Sequence, residues 1–325
     1  MPKTNTKQRI LDYISLNKEV SPHDLVRHLE ISAQAIFRHL KVLLQQNKVI
    51  KRGSPPKVFY SLASLPKKTT VAHVSSEDAD FLQRHFYFIS PVGDAFEGLD
   101  AMIAWTDRHH LDLDKTIVEY KKTLKKYLAY QTNSLIDGMK KMQGTFQQVY
   151  LDHLYYFDFY AIERFGKTKL GYYLLYSKQG QSISFINELI ALVKPKIEST
   201  IKQLNVDAIA FVPPTVKRDL QIMKILEKEC SFGLRVISIE KIKTSIIIPQ
   251  KTLSKLPDRI LNAQKTMVVT EKETFNRVLL LDDAVGSGST LNEISRQLKE
   301  KNVCQDVVGL ALTGSFKGFD VLSEV

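Results

Sequence analysis

Val278-Leu279-Leu280-Leu281-Asp282-Asp283-Ala284-Val285-Gly286-Ser287-Gly288-Ser289-Thr290 reads as a strand, a turn and the start of a helix. Four consecutive apolar residues suit a strand covered on both faces, as in a parallel sheet. Two carboxylates then fall at its carboxyl end, and a Gly/Ser/Thr turn leads into the helical pattern Leu291 to Leu298. The N–H groups of such a turn and the positive end of the next helix point at one place, which makes an anion site. Glycine admits a ligand close to the backbone, and the Ser287, Ser289 and Thr290 hydroxyls add donors. The turn is no P-loop, because the GKS/GKT lysine is missing and the two acids would repel a bare phosphate. Those acids make sense if the ligand also carries hydroxyls, or a Mg²⁺ ion, for them to hold.

The neighbouring residues extend the pattern. Asp207 to Val212 reads as a buried strand that ends at Pro213-Pro214-Thr215, with Lys217 and Arg218 just beyond. Leu234 to Ile239 is a second strand, and Val307 to Leu312 follows the motif strand as a fourth. Helical stretches lie between, at about 216–229 and 291–301. This alternation predicts a parallel sheet with crossover helices, whose ligands bind outside the strands' carboxyl ends. Both the Pro-Pro-Thr turn and the Asp-Asp turn fall there.

An apolar strand, two acids and a small-residue loop ending in Gly-x-Thr resemble the PRPP-binding motif of type I phosphoribosyltransferases. The resemblance implies that Asp282 and Asp283 hold ribose hydroxyls while Ala284, Val285, Gly286, Ser287, Gly288, Ser289 and Thr290 wrap the 5′-phosphate. Gly286 departs from the family, which usually has a hydroxyl residue there. Pro249 to Gln264 is similar to the Gln-x-x-Leu-Ser-x-x-x-Arg-x-x-Asn stretch of ComF-like phosphoribosyltransferases, through Gln250, Leu253, Ser254, Arg259 and Asn262. In that group it is a mobile loop over the site, so Lys251 and Lys255 become candidates for steadying departing pyrophosphate. Val212 to Arg218 resembles the group's pyrophosphate-side turn and contributes Pro214, Thr215, Lys217 and Arg218. The resemblance spans roughly residues 165–315. ComF-like proteins usually begin with a four-cysteine zinc module, but this chain has only Cys230 and Cys304, so no zinc is expected.

The first 70 residues differ in character. They hold 13 Lys/Arg against 4 Asp/Glu, a net of +9 within a chain total of +11. So localised an excess is the footprint of nucleic-acid binding. Ile10, Leu11 and Ile14 recur at helical spacing; Ser21-Pro22-His23-Asp24 is a helix start, and Leu25, Val26 and Leu29 form that helix's apolar face. Ser32 caps a third helix through Ala35, Ile36, Leu40, Leu43 and Leu44, and Val49 to Tyr60 reads as two strands around a basic turn. The arrangement resembles the winged helix-turn-helix of bacterial repressors. In that geometry the third helix enters the major groove. Ser32, Gln34, Arg38 and Lys41 on it, with Lys51, Arg52 and Lys57 on the wing, are the candidate DNA contacts, and Phe37 also points outward. A winged helix used for protein contacts is the alternative.

Leu65 to Thr70 is polar and reads as a linker. Residues 75–164 read as largely helical, with a cap at Ser75 or Ser76 and a long pattern from Leu111 to Leu135. The aromatic run Val149 to Tyr160 suits core or a subunit interface. No apolar run of 18 residues occurs, so no membrane span is expected, and the basic N-terminus lacks a signal-peptide core.

The expected organisation is therefore a winged helix-turn-helix over 1–64, a linker over 65–74, a helical middle region over 75–164, and a phosphoribosyltransferase-like α/β domain over 165–325. The expected function is a cytoplasmic, homodimeric regulator that binds double-stranded DNA and senses PRPP, with Mg²⁺, or a related phosphoribosyl compound. The pairing of modules is similar to that of the purine repressors of Gram-positive bacteria. An active phosphoribosyltransferase is the first alternative. Only 13 residues follow Leu312, so a base-binding hood would have to come from the middle region. A DNA-uptake or repair accessory, like some ComF-like proteins, is the second.

Overall fold

Cooperative apolar faces at the two ends of the chain build two compact units, residues 1–73 and 74–325, in a computed structural model. The residues described are 6–46, 48–63, 74–216, 218–230, 232–242, 248 and 250–315. The expected linker, 65–74, lies outside them except for Val74.

In the first unit, α1 (Thr6–Asn17) is followed by β1 (Glu19–Val20), α2 (Pro22–Leu29), α3 (Ala33–Gln45), β2 (Val49–Ser54) and β3 (Lys57–Leu62). Ser21 starts α2 with a capping box: its Oγ accepts from the Asp24 N–H at 3.2 Å, and Asp24 Oδ2 accepts from the Ser21 N–H at 2.9 Å. The Ser21 hydroxyl, which also donates to Asp24 Oδ2 at 2.7 Å, and the Ser21 N–H hold the Asp24 carboxyl below the usual range. Ser32 Oγ accepts from the Ala35 N–H at 3.3 Å and starts α3 with a side-chain cap alone. Ile10, Ile14, Leu25, Leu29, Ile36, Leu40 and Leu43 are buried together with Val49 and Tyr60. The sheet order is β1-β3-β2, all antiparallel. Strand β1 has no sequence signature of its own; Val20 is recruited by pairing with Tyr60. The wing turn needs Gly53, at φ +77°, because a Cβ there would meet the Lys57 carbonyl oxygen at 2.3 Å.

The second unit runs through α4 (Ser76–His85), β4 (Tyr87–Ile89), β5 (Ala95–Glu97), α5 (Gly98–His109), α6 (Leu113–Leu128), β6 (Gln131–Thr132), β7 (Leu135–Asp137), α7 (Met139–Thr145) and β8 (His153–Phe159). It continues with β9 (Ala161–Ile162), β10 (Gly166–Lys167), α8 (Lys169–Lys178), α9 (Ile183–Leu204), β11 (Ala208–Phe211), α10 (Ile222–Glu229), β12 (Arg235–Val236) and β13 (Ile239–Lys241). It ends with α11 (Leu256–Thr266), β14 (Met267–Val269), β15 (Phe275–Val285), α12 (Ser289–Glu300) and β16 (Cys304–Gly314). Seven strands form the main sheet in the order β12-β11-β15-β16-β8-β7-β6. The first five are parallel, and the β6–β7 hairpin adds antiparallel to β8.

Side chains of β15 alternate between two cores. Val278 and Leu280 face a cluster with Leu291, Ile294 and Leu298 of α12, while Leu279 and Leu281 face Leu174 of α8 and Ile186, Leu189 and Val193 of α9. The result is a mixed α/β unit with helices on both faces of a mostly parallel sheet.

Three expectations need correction. Residues 75–164 are not simply helical, for they contain β4 to β9. Their boundary with 165–325 cuts through the sheet, because β8 pairs with β16. The aromatic run hides this strand: Leu154, Tyr156, Phe157 and Phe159 are buried on both faces, so no alternation is visible in the sequence. The helical pattern through Leu135 stops at Leu128, and Asn133 and Ser134, both at positive φ, form the turn that joins β6 to β7. The predicted strand 234–239 divides into β12 in the main sheet and β13, which pairs with β14 instead.

Candidate functional site

Strand β15 is long enough to carry both acids: Asp282 pairs with Ala311 and Ala284 with Thr313 before the chain leaves the sheet. Gly286 to Gly288 then turns into α12. Gly288 stands at φ +81°, and a Cβ on it would meet Met142 Sδ of α7 at 2.3 Å. As the N-cap it gives α12 no side-chain bond; the Ser289 N–H donates instead to Ser287 Oγ at 3.4 Å, at the positive end of the helix. Ser287 and Ser289 are buried, with their hydroxyls 2.9 Å apart.

This turn forms one wall of a cavity of about 350 Å³. Asp282, Asp283, Ala284, Val285, Gly286, Ser287, Gly288, Ser289 and Thr290 all line it. Pro214, Thr215 and Arg218, from the turn after β11, line the opposite wall. The structure thus brings the two sequence-separated turns to one space. Lys217 lies outside the described residues.

The loop before α11 contributes Gln250, Thr252 and Ser254 to the cavity, and α11 itself contributes Arg259. Lys255 is exposed at the N-cap of α11 and is not among the residues that line the cavity in this conformation. The Lys251 side chain lies outside the described residues. The polar residues of the Gln-Leu-Ser-Arg-Asn pattern bind one another: Gln250 Nε2 donates to the Arg259 carbonyl at 2.8 Å, Arg259 Nε to the Leu253 carbonyl at 2.6 Å, and Asn262 Nδ2 to Gln250 Oε1 at 2.5 Å. In this conformation they fold the loop on itself.

Sequence reasoning misses Lys178, at the end of α8. Its Nζ sits 2.5 Å from Asp283 Oδ1, with only 11% of its side chain exposed. A single lysine closing an apolar helix reads as a solvated terminus, so only the tertiary pairing reveals it. Burial pushes the Asp282 carboxyl upward and the charge of Asp283 adds to this; Lys178 and the Asp283 N–H, which donates to Asp282 Oδ1 at 2.7 Å, oppose both. The cavity therefore holds one compensated carboxylate and one that resists ionisation. That pair can accept hydroxyl donors, and the turn and Arg218 can take up negative charge.

In the first unit, α3 exposes Ala33, Gln34, Phe37, Arg38, Lys41 and Gln45, one continuous stripe at helical spacing. Lys51, Arg52 and Lys57 are exposed on the wing. Ser32 is exposed too, but its hydroxyl already serves as the α3 cap. No group of three His, Cys, Asp or Glu suited to a metal occurs among the described residues. Cys230 and Cys304 are buried and separate. Among the described residues no helix is long and apolar enough to cross a membrane.

Residues 4–57 match the MarR family. The matched segment covers α1 to α3 and β2, so the first unit carries a MarR-family winged-helix domain of the kind that binds DNA in transcription regulators. No curated protein sequence matches the chain.

Proposed function

We propose that the protein is a transcription regulator whose second unit binds PRPP or a related phosphoribosyl compound and so adjusts DNA binding by the first. The observation that carries the ligand assignment is the convergence of Asp282 and Asp283, the Gly286–Thr290 turn and Arg218 on one cavity of about 350 Å³. Such a volume suits one small ligand. The acids would accept the ribose hydroxyls, the N–H groups of the turn would take the 5′-phosphate, and Arg218 would face the pyrophosphate. Mg²⁺ would arrive on the pyrophosphate rather than in a protein cage, since Asp283 is already paired with Lys178.

Binding without turnover is the favoured form. Among the described residues, neither Lys255 nor any residue of 75–164 lines the cavity. Two copies of the chain would read an inverted repeat, because one recognition helix covers only a half-site.

Calorimetry with PRPP and Mg²⁺ tests the ligand. Binding is expected in the wild type and should weaken in the Asp282→Asn, Asp283→Asn double variant, each charge-assisted bond removed costing about 1.5–3 kcal/mol. No heat of binding at millimolar PRPP would remove the assignment. Pyrophosphate release that depends on one added nucleobase would replace the sensor by an enzyme.

A further inference from the structure

Phe37 is the anomaly of the basic helix. Its side chain is 53% exposed, although α3 buries Ile36, Leu40 and Leu43 on its other face. It lies one turn after Ala33 and one turn before Lys41 in the exposed stripe, beside Gln34 and Arg38. From Ala33 to Gln45 the helix contains no acidic residue. The apolar ring is thus set among hydrogen-bond donors and positive charge, which suits a polyanion that also offers an apolar group. Duplex DNA presents one such group in the major groove, the 5-methyl of thymine, within reach of side chains that hydrogen-bond to base edges.

We infer that Phe37 is a specificity-determining residue that packs on thymine 5-methyl groups, so that the preferred half-site carries thymine beside the bases read by Gln34 and Arg38. This rests on the DNA-binding reading of the first unit. Ala33, on the same line of the helix, adds a second methyl contact surface. Burying one methyl against an aromatic ring changes affinity by about 3- to 10-fold.

The test uses the full chain and the duplex it enriches from a random pool. Each thymidine is replaced in turn by deoxyuridine, which removes only the 5-methyl. At one or two positions per half-site the wild type should lose about 3- to 10-fold in affinity. Phe37→Ala should bind the thymine and uracil duplexes alike, and Phe37→Leu should keep part of the preference. Wild-type affinity unchanged at every uracil position overturns the inference while leaving sequence-specific DNA binding intact. Enrichment of no duplex overturns both. A Phe37→Ala variant that changes oligomeric state while retaining the methyl preference would also overturn it, since the ring would then belong to an interface between copies. The ring is exposed, so the variant should keep the wild-type thermal transition.

Discussion

Lys178 and Asp283 show how much one side chain can carry in this cavity. The lysine is held in a place that water reaches poorly, and its only described salt-bridge partner is the second acid of the motif. Lys178→Met keeps the bulk but strands the Asp283 charge beside Asp282. Loss of one partner of a buried pair costs roughly 3–5 kcal/mol, and the 21% exposure of Asp283 puts the expected loss near the lower end. Urea unfolding at pH 7 should register it, and Lys178→Met with Asp283→Asn should recover most of it. Asp158 on β8 offers a separate test. Burial pushes its carboxyl up to about 6, despite an N–H bond from Phe159 at 2.8 Å. The folded value lies above the unfolded one, near 3.9. This group therefore favours folding below about pH 4, and that contribution is lost as pH rises through about 6. Asp158→Asn retains the acceptor without the charge. It should raise stability at pH 8 by on the order of 2–3 kcal/mol, with the gain vanishing toward pH 4; unfolding curves at the two pH values would show it.

At the scale of elements, the proposed DNA complex would give α3 and the wing different tasks although both are basic. Gln34 and Arg38 sit one turn apart on the exposed stripe, and forked side chains there can read base edges. Arg52 and Lys57 lie on paired strands of the wing; in the proposed complex they would contact the duplex backbone, where contacts carry no sequence information. Arg38→Ala or Gln34→Ala should relax sequence preference at a cost of roughly 1–3 kcal/mol on the preferred site. Arg52→Ala and Lys57→Ala should weaken all duplexes alike and flatten the salt dependence by about one unit for each phosphate left without its cation. Binding measured at several salt concentrations on preferred and scrambled duplexes separates the two classes. A winged helix used only for protein contacts would show neither effect.

For the whole molecule, coupling is the measurable property. A ligand alters DNA binding only if it binds the DNA-competent and DNA-incompetent states with different affinity, and the effect is reciprocal. PRPP with Mg²⁺ should therefore shift DNA affinity by about 5- to 150-fold, and saturating operator DNA should shift PRPP affinity by the same factor. The selected operator should be an inverted repeat with half-sites about one or two helical turns apart. Equal DNA affinity with and without PRPP, in a protein that binds both, would leave two independent activities on one chain.

Much of this is legible along the chain because the signals are local. The capped helices with their apolar faces, the strand Val278 to Leu281 and the glycine turn into α12 follow from spacing, cap chemistry and the backbone freedom of glycine. What the sequence could not show depends on partners distant in the chain. Val20 becomes a strand only because Tyr60 lies beside it, and the aromatic run is a sheet strand only because β16 and β7 flank it. The pairing of Lys178 with Asp283 and the meeting of Arg218 with the acid pair in one cavity are likewise products of packing. Residue order alone determined which segments are helix, strand and turn near the motifs. Tertiary structure decided which charges share a cavity, because an ion pair's partner is chosen by position in space and by the exclusion of water.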